Sequence, residues 1–271
     1  MKQLELAYTR KFLKIFPPQL RASIFYRLFF KNASLRTYLF RQAPLSFLPD
    51  IKMDLCPSDK SHQQIAYTGF FEMHLSEIFM ELAHKGGFFI DVGANYGYYS
   101  LLWAGASKSN KVISFEAVRD NCNALSHNAA ANHFESQIQV QNKALGKSSG
   151  HMKFDTMDND QTTWGGLTNA EGSGFDVTVH RLDELIVNEK SIEVLKIDVE
   201  GADTWVLYGA ERLLKERCIK NIFFEENNER QQQLGIKPED AKVFLSDLGY
   251  CCEKLNRNSS GVSEFHARLK N

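Results

Sequence analysis

The sequence predicts an α/β protein built on a doubly wound, mostly parallel sheet of seven strands. Short apolar runs alternate with helical patterns from Phe88 to the end of the 271-residue chain. A glycine turn joins the first of these runs to a helix, and polar residues end the predicted central strands. These three observations indicate βαβ units whose loops gather at the carboxyl edge of one sheet.

The segment FFIDVGANYGYYS, which begins at Phe88, organises the chain. Its first five residues are apolar except for Asp91, a pattern typical of a strand buried on both faces. Gly93 and Gly97 allow a sharp turn, and a helix is predicted over Tyr98–Ala106. The start of a helix offers free backbone N–H groups to a ligand. A tight turn without a ligand is the alternative interpretation.

Residues 1–50 are aromatic and basic, with nine Lys and Arg against two acids and therefore a net charge of +7. Residues 51–271 carry −8. A helix is predicted after Pro17 and Pro18, with three aliphatic residues at helical spacing: Leu20, Ile24 and Leu28. This segment is either a helical cap on the sheet or a surface helix that contacts anionic lipid or an acidic partner.

The other elements follow from the same patterns. Residues 51–68 are interpreted as irregular strands, and a helix is predicted over 72–84. Residues 147–175 suit a hairpin centred on 162–166. Further strands are predicted at 111–115, 138–141, 177–179, 194–197, 219–224, 250–255 and 263–269. Further helices are predicted at 120–133, 203–215 and 239–248.

Composition limits the possible classes. The hydrophobic fraction of 43% and charged fraction of 24% are ordinary for a globular protein. Five cysteines without a CxxC pair argue against a disulfide framework and predict a reducing, cytoplasmic location. A net charge of −1 gives no overall attraction for nucleic acid. We find no apolar run near the length of a membrane span.

Polar side chains end five predicted strands: Asp91, Glu116, Asn142, Asp198 and Glu225. Carboxylates gathered at one edge are costly unless they are solvated or bind a ligand, so this edge is the predicted site. Glu116 follows Gly93 by 23 residues, where nucleoside-binding folds place an acid that accepts hydrogen bonds from ribose hydroxyls.

The glycine spacing distinguishes between two nucleoside ligands. A dinucleotide site has the pattern GxGxxG, but Asn95 and Tyr98 occupy the second and third glycine positions here. Tyr98 stands where close packing of helix on strand requires glycine. The turn therefore favours a ligand with one nucleoside, such as S-adenosylmethionine, over a dinucleotide.

Several segments resemble, in order, the signatures of the FkbM-type S-adenosylmethionine-dependent methyltransferases. They are FIDVGANYGYYS from Phe89, FEA from Phe115, VTV with the following LD that ends at Asp183, and LKIDVEG from Leu195. GFFE, which ends at Glu72, is similar to the family's Gly-x-Tyr-Glu element, with Phe in place of Tyr. Alanine at position 117 replaces the usual proline. The resemblance covers about 68–269.

This resemblance implies a Rossmann-like class I methyltransferase fold with S-adenosylmethionine as cofactor. It also implies methylation of a hydroxyl on a sugar, glycolipid, polysaccharide or secondary metabolite. It divides the chain into an N-terminal extension or cap, residues 1–67, and a methyltransferase domain, residues 68–271. Cofactor contacts are then expected from Glu72, Asp91, Gly93, Ala94, Asn95, Gly97, Ser100, Glu116, Ala117, Asn142, Ala144 and Asp198.

Asp198 and Glu200 are the predicted catalytic residues. A hydroxyl is a weak nucleophile, so a positioned carboxylate base or a divalent cation such as Mg²⁺ is expected to activate it. If the strand end stays extended, the two carboxylates share a face, and if it curls they separate. Alternatively both cap the helix that follows Gly201. The sequence leaves the metal requirement open.

Two other functions remain open at this stage. One is a binding protein that keeps the fold without catalysis, and the other is a nucleic-acid methyltransferase. The acidic methyltransferase domain disfavours the second. We therefore predict a small-molecule or glycan acceptor and no nucleic acid. Contact between the basic N-terminal segment and the inner face of the membrane is the further partner considered, and the sequence leaves the oligomeric state open.

Overall fold

A computed structural model of the protein describes residues 8, 11–13, 15–28, 33–156, 165–169, 174–255 and 261–270. Its helices are α1 (Pro18–Leu28), α2 (Ala33–Phe40), α3 (Lys60–Thr68), α4 (Met73–Lys85), α5 (Tyr98–Ala106), α6 (Arg119–Ala131), α7 (Leu182–Leu185), α8 (Asp203–Gly209), α9 (Glu211–Lys215), α10 (Asn228–Leu234) and α11 (Asp240–Asp247). Its strands are β1 (Ala43–Pro44), β2 (Lys52–Met53), β3 (Phe88–Val92), β4 (Lys111–Glu116), β5 (Ile138–Asn142), β6 (Ala144–Leu145), β7 (Gly150–Asp155), β8 (Gly166–Thr168), β9 (Phe175–His180), β10 (Ile192–Ile197), β11 (Ile219–Asn227), β12 (Tyr250–Lys254) and β13 (Val262–Leu269).

The largest sheet has the strand order β12-β13-β11-β10-β3-β4-β5. The four pairings from β11 to β5 are parallel, and β13 pairs antiparallel with both β11 and β12. The chain runs outward from β3 to β5 and then returns to β10 on the other side of β3. This reversal is the switch point where α/β sheets bind ligands. The predicted α/β class with a large, parallel-rich sheet is confirmed.

Hydrophobic residues cover both faces of this sheet. Phe89 packs with Phe79 and Trp103 in one cluster, whereas its neighbour Ile90 belongs to a second cluster with Leu207. Successive side chains of a strand point to opposite faces, so this separation requires helices on both sides. All of β3 except its first residue is buried, as its mostly apolar sequence predicts.

The strands and helices around the glycine turn form where the sequence predicts them. β3 and α5 have the predicted bounds, and β4, β5 and α6 differ from theirs by one or two residues. The predicted strands at 250–255 and 263–269 pair antiparallel as β12 and β13. The predicted hairpin becomes β7 to β9 of a four-stranded sheet, and 162–164 at its centre lie outside the described residues.

The interpretation of residues 51–68 as irregular strands is wrong for its second half, which forms α3. Asp59 caps this helix, because its carboxylate accepts hydrogen bonds from the backbone N–H groups of Ser61 and His62. Gly69 ends the helix with φ +84°, a conformation that costs glycine little. The sequence does contain a signal for this helix, because Asp favours a helix start and a Gly ten residues later favours its end.

The single helix predicted at 203–215 is also wrong, because it divides after Gly209. A side chain at Gly209 would clash with the backbone oxygen of Gly146, so the helix lies directly against this loop. The Asp183 carboxylate then accepts hydrogen bonds from the N–H groups of Arg212 and Leu213, at 2.9 and 3.1 Å. These bonds satisfy the free donors of a second helix start and stabilise the break.

The described part of the N-terminal segment packs on the sheet domain. Leu39 and Leu45 are fully buried in the cluster that contains Phe79. In α1, Ile24 packs against this cluster, but two of the predicted apolar residues, Leu20 and Leu28, are more than half exposed. This packing favours the cap, while the boundary after residue 67 stays a prediction. Within the described ranges, every helix is too short or too polar to span a bilayer.

Candidate active site

The glycine turn between β3 and α5 lies at the switch point of the sheet. The N–H groups of Gly93 and Ala94 donate to the carbonyl of Phe115, at 2.9 and 3.1 Å, and so tie the turn to the end of β4. Gly93 has φ +79°, and a side chain there would clash with the backbone oxygen of Asp198. Glycine is therefore required where the turn meets the end of β10.

Glu116 anchors the turn from the neighbouring strand. Its Oε2 accepts a hydrogen bond from the N–H of Asn95, and its Oε1 accepts one from Val118, both at 2.8 Å. Burial raises the pKa of Glu116 to about 7, and the two backbone donors oppose this rise. A carboxylate oxygen has more than one lone pair, so each oxygen can still accept a hydroxyl hydrogen.

Asp91 lies at the end of β3 and is 2% exposed. Ser100 Oγ donates to its Oδ2 at 2.6 Å and also lies 2.8 Å from Ser114 Oγ. Burial raises the pKa of Asp91 to about 6, and the positive charge of Lys196 is the largest opposing influence. Asp91 is therefore a buried carboxylate beside the glycine turn, with the charge of Lys196 favouring its ionised form.

The strand end at Asp198 curls, so the two predicted catalytic carboxylates separate. Glu200 has φ +53° and Gly201 has φ +95°. Asp198 Oδ2 accepts a hydrogen bond from Lys196 Nζ at 2.8 Å, whereas Glu200 Oε2 accepts one from Asn227 Nδ2 at 3.3 Å. Neither side chain caps the next helix, because Ala202 is the N-cap of α8 and no side chain bonds there.

Glu72, Asn95 and Glu200 share an unusual backbone conformation. Their φ angles are +43°, +49° and +53°, in the left-handed region that residues other than glycine rarely adopt. All three line the same cavity. Such strained residues persist only where the surrounding structure fixes them, and they concentrate at functional sites.

The cavity at this edge has a volume of about 530 Å³. Ten of the predicted site residues line it: Glu72, Asp91, Gly93, Ala94, Asn95, Glu116, Ala117, Ala144, Asp198 and Glu200. Gly97, Ser100 and Asn142 stand behind its wall. Gly97 lies against Leu125, Ser100 holds Asp91, and Asn142 Nδ2 donates to the backbone oxygens of Glu116 and Ala117.

His62 is a lining residue that sequence reasoning missed. Its Nδ1 accepts a hydrogen bond from the Cys56 N–H at 3.2 Å, which places the ring hydrogen of neutral His62 on Nε2. Nε2 then donates to Asn95 Oδ1 at 2.7 Å. The sequence signal that leads to His62 is the pair of capping residues Asp59 and Gly69, which predicts the helix that contains it. His62 therefore links α3 to the glycine turn.

Lys196 and Arg230 also line the cavity without having been predicted as site residues, and Glu225 lines it at the strand edge where the sequence places it. Burial raises the pKa of Glu225, and the charges of Asp198 and Asp203 add to the rise. Among the described residues, no three His, Cys, Asp or Glu side chains are arranged to hold a metal ion.

Residues 91–252, which are more than half of the chain, match the family described as the Methyltransferase FkbM domain. The chain belongs to the FkbM methyltransferase family. The match runs from the end of β3 into β12 and includes the glycine turn, Glu116 and the segment around Asp198. The FkbM match begins after Glu72, so GFFE lies outside it. As an FkbM protein, the chain is an S-adenosylmethionine-dependent methyltransferase.

Solved structures are only distantly similar to this FkbM protein. An O-methyltransferase from Bacillus cereus in complex with SAH is 12% identical, with 72% of this chain and 80% of that chain covered and a TM-score of 0.43. The S-adenosylmethionine-dependent O-methyltransferase from Thermotoga maritima is 12% identical, with 74% and 66% covered and a TM-score of 0.45. The chain thus covers just under two thirds of the Thermotoga maritima protein.

Precorrin-6y C5,15-methyltransferase from Geobacter metallireducens is 11% identical, with 72% of this chain and 87% of that chain covered and a TM-score of 0.42. No curated protein matches the sequence. The assignment to the FkbM family therefore depends on the domain match, and the site is interpreted from its own geometry.

Proposed function

We propose that the protein transfers the methyl group of S-adenosylmethionine to a hydroxyl oxygen of a small-molecule or glycan acceptor. The acceptor class is a sugar, glycolipid, polysaccharide or secondary metabolite. One observation carries this proposal: the glycine turn, the ribose-type acid Glu116 and the carboxylates of Asp198 and Glu200 line a single cavity. That cavity lies at the switch point of the sheet.

The residues present fit the cofactor. Glu116 keeps lone pairs for ribose hydroxyls after it accepts its two backbone hydrogen bonds. Asp91 offers a buried negative charge to a cationic group beside the turn. Phe115, Ala144 and Leu145 form an apolar part of the wall that suits a purine base. The cofactor supplies an electrophilic methyl group when it is bound.

The protein's own part in the chemistry is to align and deprotonate the acceptor hydroxyl. Glu200 suits a general base, because burial raises its pKa to about 7, close to neutral pH. The backbone of Asp198 lies against Gly93 of the glycine turn, and Lys196 fixes the Asp198 carboxylate. We assign Asp198 to the cofactor side and Glu200 to the acceptor side. Activation of the hydroxyl by a cation such as Mg²⁺ is the second route, and a chelator distinguishes the two.

Comparative mass spectrometry of cellular glycans and lipids, with and without the gene, tests the proposed function. We expect at least one glycan or lipid to lose the mass of one CH₂ per acceptor site in the deletion strain. Reintroduction of the wild-type gene should restore it, while the Asp198→Asn variant should not. Unchanged spectra from a protein that still binds S-adenosylhomocysteine would instead favour a binding protein without catalysis.

We also propose that the enzyme is cytoplasmic and that its basic segment contacts anionic lipid. The support is the +7 charge of residues 1–50 together with exposed apolar side chains at Phe12, Ile15 and Leu20. Binding to vesicles that contain phosphatidylserine should weaken as salt increases, because exposed charges are screened. Co-sedimentation at two salt concentrations measures this.

The matched variants for this measurement remove equal charge. Lys11→Gln with Arg27→Gln should reduce the sedimented fraction, since both side chains are exposed in the basic segment. Lys108→Gln with Lys237→Gln, which removes two exposed charges elsewhere, should leave it unchanged. Equal losses in both variants would contradict a specific membrane contact.

A further inference from the structure

A buried lysine lies among the carboxylates of the site. Lys196, near the end of β10, is 4% exposed, and its Nζ lies 2.8 Å from Asp198 Oδ2. It is the register partner of Asp91 on β3. Its Nζ also lies 4.7 Å from the centre of the Tyr99 ring, within the range of a cation–π contact. A buried ammonium needs opposite charges around it, so Lys196 and these carboxylates depend on one another.

Acidic side chains from several segments of the chain surround Lys196. They are Glu72 at the start of α4, Asp91 on β3, Asp198 and Glu200 after β10, and Glu264 on β13. Tyr99 on α5 donates its hydroxyl hydrogen to Glu72 at 2.8 Å and so joins the same group. Among the described cations that line the cavity, only Lys196 is buried.

We propose that Lys196 is a positioning residue of the methyltransferase site. Its ammonium fixes the Asp198 side chain through a hydrogen bond and stabilises the negative charge of Asp91 beside the cofactor turn. This role rests on the proposed function, because it affects binding only if the turn holds S-adenosylmethionine. The Lys196 charge opposes the effect of burial on Asp91, so its removal should raise the pKa of Asp91 above about 6.

The test compares two lysine-to-methionine variants in the full chain. Lys196→Met removes the buried charge, whereas Lys220→Met removes an exposed lysine that lies 2.7 Å from Glu193. The probe is S-adenosylhomocysteine, titrated calorimetrically between about pH 5.5 and 9. For each unit by which the substitution raises the pKa of Asp91, binding should weaken about tenfold at pH values below the wild-type pKa of Asp91. The deficit of Lys196→Met should therefore shrink toward high pH, and Lys220→Met should follow the wild type.

Two further variants separate positioning from simple support of the fold. Lys196→Arg keeps the charge and should restore the wild-type pH profile. Lys196→Gln keeps a donor for Asp198 without the charge, and it replaces Lys196→Met if that variant does not fold. An unchanged profile, or a loss by the same factor at every pH, overturns the positioning role. Failure of the wild-type protein to bind S-adenosylhomocysteine would instead refute the proposed function.

Discussion

Turnover is expected to fall by roughly 10²- to 10⁴-fold in the Asp198→Asn and Glu200→Gln variants, the range that general base catalysis contributes. A hydroxyl attacks a methyl group poorly unless a nearby group accepts its proton, and an amide cannot do so. Transfer of labelled methyl groups to an extract of cellular glycans and lipids measures the rate. For a purely catalytic role, affinity for S-adenosylhomocysteine should stay close to wild type, above all in Glu200→Gln.

The pH profile distinguishes the two carboxylates. Burial and the charge of Asp198 raise the pKa of Glu200 to about 7. If Glu200 is the base, turnover should decline as the pH falls below about 7, since the protonated acid cannot accept a proton. Glu200→Gln should abolish this decline. Asp198→Asn should shift it to lower pH, because the negative charge that raises the Glu200 pKa is gone.

The same assay tests the metal route. If a carboxylate acts alone, a chelator should leave the rate unchanged, whereas loss of activity that Mg²⁺ restores would favour a cation. The matched controls are Asp176→Asn and Glu253→Gln, whose side chains are exposed and form surface ion pairs. Normal turnover in both site variants would contradict the catalytic assignment of Asp198 and Glu200.

Affinity for S-adenosylhomocysteine is expected to fall by roughly 10²- to 10⁴-fold in Glu116→Ala. Two charge-assisted hydrogen bonds to ribose hydroxyls would be lost, each worth roughly 1.5–3 kcal/mol, and about 1.4 kcal/mol corresponds to a factor of ten. The substitution also frees the N–H groups of Asn95 and Val118, which Glu116 holds at 2.8 Å. Calorimetry measures the loss.

Glu135→Ala is the control for this loss, because Glu135 is an exposed glutamate on the loop before β5. Thermal unfolding without ligand shows whether Glu116→Ala keeps the fold. Wild-type affinity in Glu116→Ala would contradict the assignment of the ribose site. Tight binding of NADH to the wild-type protein would favour a dinucleotide site instead.

Local sequence patterns suffice for the elements on both sides of the glycine turn. The apolar run before Gly93 has the length and composition of a buried strand, and glycines with positive φ permit the turn that follows. Patterns of this kind fail at residues 60–68, where the helix depends on its N-cap at Asp59 more than on an apolar repeat. They also fail at Gly209, where the break depends on a loop distant in sequence.

The sequence also predicts which residues meet at the site. Asp91, Glu116 and Asp198 each end a parallel strand, and the carboxyl ends of neighbouring parallel strands lie at one edge. Because connections between parallel strands cross over in one sense, their shared location follows from the alternating pattern alone. The residues predicted to bind the cofactor nevertheless include Ser100 and Asn142, which support the wall from behind.

Only the tertiary structure decides that the carboxylates of Asp198 and Glu200 separate and which groups balance their charge. The curl at Glu200 depends on Gly201, where a side chain would clash with Arg230 on α10. The raised pKa of Glu225 and the role inferred for Lys196 depend on burial and on charges from several strands. Desolvation and Coulomb energies are set by distances between residues far apart in the chain, so no local pattern encodes them.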